Sequence, residues 1–356
     1  MFPRSSGILL HPSSLFGKYG IGTLGENAVK FIDFLDRSNQ KLWQVFPLGP
    51  TGFGDSPYQS FSAFAGNPFL IDLEKLVLLD LLKIEDIEGA ELEKDINYVD
   101  FGTLYKKKLP LLKKAYDNLK NIDNEKILFE LEIFKEENSF WLEDYSLFIS
   151  LKYHFKGHEW SKWDEGIKLR KEKDLKKYKE LLKEEIELNN FIQYLFFHQW
   201  GEIKGYANSK GISIIGDIPI FVAFDSSDAW ANSEIFLLRN KSKAGIGFFE
   251  DSGFYPDFIL WILKDGKQYI NFCDPKGIRN LNPKNDPKIN FHKSLKEKEA
   301  KLADSSIVLN SFIISNTPFN VIQNLHSDIT KIEMDTKNVL FQNENEYINN
   351  MFAKIL

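Results

Sequence analysis

The chain alternates between short apolar runs and longer runs of helical periodicity. Residues 7–10 and 42–48 are apolar runs, and between them residues 26–39 repeat apolar side chains every three or four positions. A strand, a helix and a strand at this spacing predict a βαβ unit and therefore a parallel sheet. Residues 213–222 form a third apolar run. Polar sequence follows each run, at the strand end where a TIM barrel keeps its active site, so we predict an α/β fold with a partial TIM (β/α) barrel.

The middle of the chain changes character and predicts a mainly helical insertion over residues 74–195, carried on one βα loop. This region is rich in Lys, Glu and Leu, and glycine is scarce in it. Helical patterns cover residues 105–119, 126–135, 140–155 and 174–197. The aromatic residues within 140–155 recur at helical spacing, which favours the core of the insertion as their location.

The last part of the chain contains no glycine. All 22 glycines precede residue 278, whereas a βα unit needs roughly 30 residues and usually a glycine at its turn. Residues 302–323 predict one helix and one strand. We therefore divide the chain into a barrel start (1–73), the helical insertion (74–195), a third strand with its loop (196–277) and a divergent tail (278–356).

Composition and charge narrow the functional classes. The chain has 356 residues, of which 43% are hydrophobic, so it can bury a large core. Its net charge of -6 gives no electrostatic footprint for a nucleic acid or a membrane surface, and we expect neither as a partner. The N-terminus has no long apolar segment preceded by a charged region, and the chain has no 18 consecutive apolar residues. We therefore expect neither a signal peptide nor a membrane-spanning helix. A single cysteine, Cys273, is typical of a reducing compartment and predicts a cytoplasmic protein.

Histidine and cysteine spacing predicts no metal site and no cofactor. His154, His158 and His198 lack metal-like spacing with acidic neighbours. An isolated cysteine is usually a small buried hydrophobe.

Residues 48–72 form the stretch with the most distinctive chemistry. Four glycines and three prolines in these 25 residues predict a long irregular loop. Its polar side chains are interleaved with aromatic ones, which suits a sugar, because hydroxyls need polar partners and pyranose C–H faces need flat rings. A packed surface loop is the alternative interpretation. The polar candidates are Asp55, Ser56, Tyr58, Gln59, Ser60, Ser62 and Asn67.

Asp217 interrupts the apolar run 213–222 and needs an explanation, because a carboxylate inside a barrel is costly unless it is paired or hydrated. It is either a structural group bonded to neighbouring strands or a ligand for a substrate. Asp225 and Ser226 on the following loop are candidate N-caps of a short helix.

Three segments carry a family resemblance. GPTGFGDSPYQSFSAFAGNPFLID (49–72) resembles the signature loop of the amylomaltases, the 4-alpha-glucanotransferases and disproportionating enzymes of the alpha-amylase clan. Residues 4–25 and 216–236 resemble the same family in the same order. The resemblance implies transfer of alpha-1,4-glucan segments between maltooligosaccharides through a covalent glucosyl-enzyme intermediate, with maltooligosaccharides or other alpha-1,4-glucans as partners and without a cofactor.

The resemblance also implies a set of substrate-binding residues. The family's aspartate in GDxPIFVA lies at the bottom of its pocket, which favours Asp217 as a ligand. Trp230 matches the family's DxW pattern. It is either a platform on which a sugar ring stacks or a packing residue. Asn271 is carried over from the loosely aligned KDGKQYINFCDP. The predicted substrate-binding residues are Asp55, Ser56, Tyr58, Asp217, Trp230 and Asn271.

The catalytic motifs of the family are not found in this chain. No RxDHF string supplies a nucleophilic aspartate, no AEDLG string supplies an acid/base glutamate, and no HD pair is present. Asp274 and Glu333 are conceivable replacements, but ordinary structural acids are favoured. We therefore assign no catalytic residue and expect a 4-alpha-glucanotransferase-like protein, with a catalytically inactive glucan-binding homologue as the alternative.

Overall fold

The structure, a computed structural model, describes residues 4–356 except 53, 93, 94, 96, 123, 218–222, 240–255 and 303. The chain forms two compact units, Met1–Ala231 and Asn232–Leu356. The division that the sequence predicts at residue 277 falls inside the second unit. No described helix is both long enough and apolar enough to cross a membrane.

The first unit contains a three-stranded parallel sheet. Its strands are β1 (Gly7–Leu9), β2 (Leu42–Gln44) and β3 (Ser213–Ile215), in the order β1-β2-β3. β2 pairs with both neighbours in parallel register, which confirms the predicted arrangement of these strands. Each strand is shorter than its apolar run, and residues 218–222 of the third run lie outside the described residues. The α/β class is established, and the partial barrel stays a prediction.

The sheet packs against the helix that connects its first two strands. α1 (Glu26–Arg37) buries Ala28, Ile32 and Leu35. Trp43 on β2 is fully buried, and its Nε1 donates to Leu10 O at 2.7 Å. The indole hydrogen bond satisfies a buried donor and fixes the chain as it leaves β1.

Helices dominate the rest of the first unit. They are α2 (Leu73–Leu78), α3 (Ile84–Glu88), α4 (Phe101–Thr103), α5 (Leu109–Leu119), α6 (Glu125–Glu137), α7 (Ser139–His154), α8 (Glu165–Lys168), α9 (Glu172–Leu181), α10 (Lys183–Ser209) and α11 (Ser227–Ala231). Part of the aromatic cluster predicted as core is buried: Trp141, Tyr145 and Phe148 on α7 are at most 6% exposed, whereas Phe140 and Tyr153 on the same helix are exposed.

The second unit is built on a mixed five-stranded sheet. Its strands are β4 (Ile235–Arg239), β5 (Phe258–Lys264), β6 (Lys267–Lys276), β7 (Ile307–Ser315) and β8 (Val339–Phe341), in chain order. β4, β5 and β6 are antiparallel, whereas β6, β7 and β8 are parallel. Its helices are α12 (Phe291–Leu302), α13 (Phe319–Leu325), α14 (Lys331–Thr336) and α15 (Tyr347–Ile355). β7 and α13 correspond to the strand and helix predicted within residues 302–323.

Lys108 is a buried cation at the end of a π-helical turn, Leu104–Lys108, that precedes α5. Its Nζ donates to Phe69 O at 2.7 Å. Burial lowers the pKa of the Lys108 ammonium from its ordinary value of 10.5 to about 7, although Asp72 opposes the shift. The folded protein therefore releases this proton at a much lower pH than the unfolded chain.

We expect Lys108 to make stability depend on pH. Between pH 7 and about 10 the unfolded chain holds the Lys108 proton and the folded chain does not, so the free energy of unfolding rises with pH in this window. In Lys108→Met that contribution is absent. Denaturant titrations at pH 6.5 and pH 9 should show the wild type gaining stability relative to Lys108→Met as pH rises.

Lys107→Met is the matched control, because Lys107 lies in the same π-helical turn but contacts Glu91 at the surface, through an ion pair and a hydrogen bond from Nζ to Glu91 O at 3.2 Å. This variant should keep the wild-type pH profile. Parallel profiles for the wild type and Lys108→Met would contradict the role of Lys108.

Candidate functional site

The carboxyl ends of the three parallel strands bring a row of side chains to one edge of the first sheet. His11 follows β1, Phe46 follows β2 and Asp217 follows β3. The His11 and Phe46 rings stack with centroids 6.0 Å apart, and Tyr58 packs against Phe46 with centroids 6.1 Å apart. Tyr58 Oη donates to Asp217 Oδ2 at 2.7 Å. The row therefore runs from β1 across β2 to β3 and includes one residue of the 48–72 loop.

The Tyr58–Asp217 pair combines the two features that a sugar needs. The Tyr58 side chain is 43% exposed although its hydroxyl is bonded, so part of the ring is open to a ligand. Its hydrogen bond to Asp217 raises the pKa of the Tyr58 hydroxyl, which stays protonated at neutral pH. An exposed aromatic ring lies here beside a carboxylate that accepts hydrogen bonds.

His11 contributes a neutral ring to the same edge. Burial lowers the pKa of His11, so the imidazole is uncharged at neutral pH. Ser13 N donates to His11 Nδ1 at 3.2 Å, and this acceptor role places the ring proton on Nε2. From the apolar pattern His11 is only the residue at which the first strand ends, and its packing on Phe46 is visible only in the fold.

Two glutamines of α10 hold the main chain of the 48–72 loop. Gln193 accepts from Gly66 N at 2.7 Å and donates to Gly66 O at 3.0 Å. Gln199 accepts from Asp72 N at 2.7 Å and donates to Asp72 O at 3.1 Å. Both amides are buried, at 1% and 2% exposure. We call this pair of contacts the glutamine clamp.

Further hydrogen bonds attach the same loop to α11 and the residues before it. Ser227 N donates to Phe61 O at 2.8 Å, and Ala63 N donates to Asp228 Oδ2 at 3.0 Å. Ser226 Oγ accepts from Ala229 N at 3.2 Å, which makes Ser226 a helix cap as predicted. The loop after β3 and the 48–72 loop are therefore fixed to each other.

Asp55 and Ser56 differ in what they contact: Ser56 bonds to the main chain of the loop, whereas Asp55 lines a cavity. Ser56 Oγ accepts from Tyr58 N at 3.4 Å and shapes the turn that presents Tyr58. Asp55 adopts a left-handed conformation with φ 55° and lines a cavity of about 590 Å³. Burial raises the pKa of the Asp55 carboxyl. The other residues lining this cavity are Gly52, Gly54, Phe61, Tyr105, Ile149, Lys152, Tyr153, Gly157 and Asp225.

Asp225 and Lys152 form an ion pair beside this cavity. Lys152 Nζ donates to Asp225 Oδ2 at 2.6 Å, and Trp160 N donates to Asp225 Oδ1 at 3.2 Å. Asp225 therefore joins the loop after β3 to α7. No local sequence signal connects the two charges, because 73 residues separate them.

Trp230 and Asn271, which the sequence predicts as substrate-binding residues, are both buried in this structure. Trp230 is fully buried, donates from Nε1 to Ile167 O at 3.1 Å and has the Arg170 guanidinium 4.4 Å from its ring centroid. Asn271 lies in the middle of β6 in the second unit and donates to Leu260 O at 2.9 Å. Both side chains stabilise the interior of their own unit.

The two conceivable replacement carboxylates lie in the second unit. Asp274 is on β6 and is 4% exposed, whereas Glu333 is in the first turn of α14, where its N–H donates to Thr330 Oγ1 at 3.1 Å. Across the described parts of both units, no group of three or more His, Cys, Asp or Glu side chains is placed to hold a metal ion.

Comparisons with known proteins match the first unit and the start of the second. Residues 10–259 match a family model described as 4-alpha-glucanotransferase. A 4-alpha-glucanotransferase from Clostridium butyricum is 49% identical over 233 residues, which are 65% of this chain and 47% of that protein. One from Thermus thermophilus is 45% identical over 257 residues, which are 72% of this chain and 50% of that protein. The chain thus spans about half the length of the curated relatives it matches.

A solved structure is also similar. Amylomaltase from Streptococcus agalactiae in complex with acarbose superposes with a TM-score of 0.64 at 29% sequence identity. The match covers 99% of this chain and 72% of that chain.

The glutamine clamp predicts a large effect of Gln193 on stability. Gln193→Met keeps an unbranched side chain of similar length but leaves Gly66 N–H and C=O without their partners. An unsatisfied buried polar group costs about 1–3 kcal/mol, so we expect the free energy of unfolding to fall by at least about 1–3 kcal/mol. Denaturant unfolding followed by circular dichroism measures this loss.

Gln59→Met is the matched control in the same loop, since the Gln59 side chain is exposed. It should change stability by less than about 0.5 kcal/mol. Equal stability of Gln193→Met and Gln59→Met would show that the clamp does not hold the loop.

Proposed function

Because this chain belongs to the 4-alpha-glucanotransferase family, we propose that its first unit binds alpha-1,4-glucans at the edge formed by the carboxyl ends of β1, β2 and β3. The observation that carries the proposal is the Tyr58–Asp217 hydrogen bond of 2.7 Å, which joins the 48–72 loop to the end of β3. Ligands of parallel sheets bind outside the carboxyl ends of the strands.

Each residue of the pair has a distinct role in this proposal. The exposed part of the Tyr58 ring packs against the C–H face of a pyranose. Asp217 uses one lone pair for Tyr58 Oη, and its two oxygens retain capacity for sugar hydroxyls. The glutamine clamp keeps the loop, and with it Tyr58, in one position.

Transfer of the bound glucan needs more than binding. A retaining glycosyl transfer requires one carboxylate that attacks the anomeric carbon and a second, about 5 Å away, that protonates the leaving oxygen. The strings that carry these groups in the family are not found in this sequence. The first candidate is transfer of alpha-1,4-glucan segments between maltooligosaccharides, and this observation motivates a second candidate, a glucan-binding homologue that does not turn its ligand over by itself.

The fold and the compartment follow from the same proposal. We infer that β1, β2 and β3 begin a (β/α) barrel and that residues 74–195 are an insertion on one of its loops. The parallel pairing of β1 and β3 with β2 supports this arrangement. The buried thiol of Cys273, the one cysteine of the chain, supports a reducing cytoplasm as its location.

Binding of maltohexaose should depend on both members of the pair. We expect Tyr58→Ala to weaken binding roughly 5- to 30-fold through loss of an aromatic contact, and Asp217→Ala roughly 10- to 150-fold through loss of charge-assisted hydrogen bonds. Isothermal titration calorimetry measures both affinities.

Tyr206→Ala is the matched control, because Tyr206 Oη also donates to a carboxylate, Asp33 Oδ1, at 2.6 Å but lies on α10. Its affinity should equal that of the wild type. The proposal fails if Tyr58→Ala and Asp217→Ala keep wild-type affinity while their circular dichroism spectra show an intact fold.

Disproportionation of maltotriose should stay at background. Loss of one catalytic carboxylate commonly costs several orders of magnitude in rate, since the intermediate cannot form. Chromatography of the products would show neither glucose nor longer oligosaccharides. Robust turnover that Asp274→Asn or Glu333→Gln abolishes would instead mean that the second unit supplies new catalytic carboxylates.

A further inference from the structure

Two aspartates lie at one end of the β5–β6 hairpin in the second unit. The antiparallel register ends with Phe258 paired with Cys273, and Asp257 and Asp274 are the next residues along the two chain segments at this end of the ladder. The two carboxylates are close enough to act on each other electrostatically.

A lysine lies on the same face of the sheet. Lys276 is two positions after Asp274 on β6, and alternate residues of a strand share a face. Its Nζ contacts Asp274 Oδ2. The sequence Asp274-Pro275-Lys276 thus places a carboxylate and an ammonium side by side, and Asp257 lies immediately before β5 at the same end of the hairpin.

Asp274 is poorly satisfied for a buried carboxylate. The residue is 4% exposed, and its Oδ2 has Lys276 beside it but makes no hydrogen bond of normal geometry with any described residue. Asp257, Lys276 and Lys288 are the charged side chains that act electrostatically on the Asp274 carboxyl. Polar atoms this deeply buried normally have their partners.

A divalent cation would complete this arrangement. Like charges close to each other repel, and one lysine offsets only one of the two carboxylates. Mg²⁺ is commonly held by one or two carboxylates, several waters and a substrate phosphate, so a third protein carboxylate is not required. Asp257 is exposed, which leaves the cation open to solvent and to a long substrate.

The surrounding sequence is basic, in contrast to the rest of the chain. Residues 264–301 contain 10 Lys and Arg but 5 Asp and Glu, although the whole chain has a net charge of -6. A local excess of positive charge attracts polyanions, and nucleic acids above all. The expectation of no nucleic-acid partner rested on the average over the whole chain and does not apply to this segment.

We propose that Asp257 and Asp274 bind a divalent cation and that, with Lys276, they form a site that hydrolyses phosphodiester bonds of a nucleic acid. The cation lowers the pKa of a bound water, whose oxygen attacks phosphorus. The attacking water gives one proton to bulk water, the new P–O bond forms as the bond to the leaving sugar oxygen breaks, and that oxygen takes up one proton from bulk water. One water is consumed overall, and Lys276 stabilises the charge that develops on the phosphate oxygens.

Cation binding is tested first, with the full chain and Mn²⁺ in isothermal titration calorimetry. Asp257→Asn should weaken binding at least tenfold. Because Asp257 is exposed, the variant should keep its fold, which circular dichroism verifies. Asp265→Asn is the matched control: Asp265 lies in the turn at the opposite end of the same two strands, with φ 51°, a conformation that asparagine also adopts. Equal Mn²⁺ affinity in wild type and Asp257→Asn overturns the proposal.

Cleavage is tested with end-labelled DNA and RNA strands of one sequence, each with Mg²⁺ or with EDTA. We expect Mg²⁺-dependent shortening of at least one strand. Comparison of the DNA with the RNA strand shows whether the site accepts deoxyribose or ribose in its substrate. Asp274→Asn and Lys276→Met should be at least 100-fold slower, whereas Asp265→Asn should cleave at the wild-type rate. Absence of Mg²⁺-dependent cleavage in both arms, or equal rates in wild type and Asp274→Asn, overturns the proposal. No glucan takes part, so the outcome is independent of glucan binding by the first unit.

Discussion

The need to satisfy buried main-chain polar groups is the constraint on which the first unit depends. The 48–72 loop has little regular structure of its own, yet Gly66, Phe69 and Asp72 lie where water does not reach their peptide groups. Buried N–H and C=O groups are almost always paired, and helix or sheet ladders are not available to this loop. Side chains from the helical region supply the partners instead: two amides of α10 and the ammonium of Lys108. The helices thus form the support on which the candidate sugar site rests.

Elements with a strong local pattern could be predicted from the sequence, and positions set by tertiary burial could not. Apolar runs gave the three parallel strands, and turn residues gave the loop. The burial of Trp230 and Asn271 could not be predicted, because a short motif does not tell whether a side chain faces solvent or the core. Gln193 and Gln199 were missed for a related reason: an amide on a helix is ordinarily interpreted as part of its solvated face, and only the docked loop turns it into a buried clamp.

The second unit shows the limits of glycine content and net charge as guides. Its last part lacks glycine, but another residue takes the left-handed conformation that glycine commonly supplies at a turn. Asn338 has φ 55° immediately before β8, a conformation that asparagine tolerates better than most residues. Net charge misled in a similar way, since residues 232–356 hold 16 Lys and Arg against 15 Asp and Glu, whereas residues 1–231 hold 29 against 36. The net charge of the whole chain therefore describes neither unit, because the two units differ in their balance of basic and acidic residues.

The glutamine clamp also determines when during synthesis the loop acquires its final form. Gln193 and Gln199 each contact a residue 127 positions earlier in the chain. Ribosomes add about 5–20 residues per second, so the loop waits roughly 6–25 seconds after leaving the exit tunnel before its partners on α10 emerge. Throughout that interval Phe61, Phe64 and Phe69 are without their final packing, in a segment that cannot protect itself by forming a helix or a sheet. The nascent chain therefore exposes these aromatic side chains near its amino terminus until the helical region has been translated.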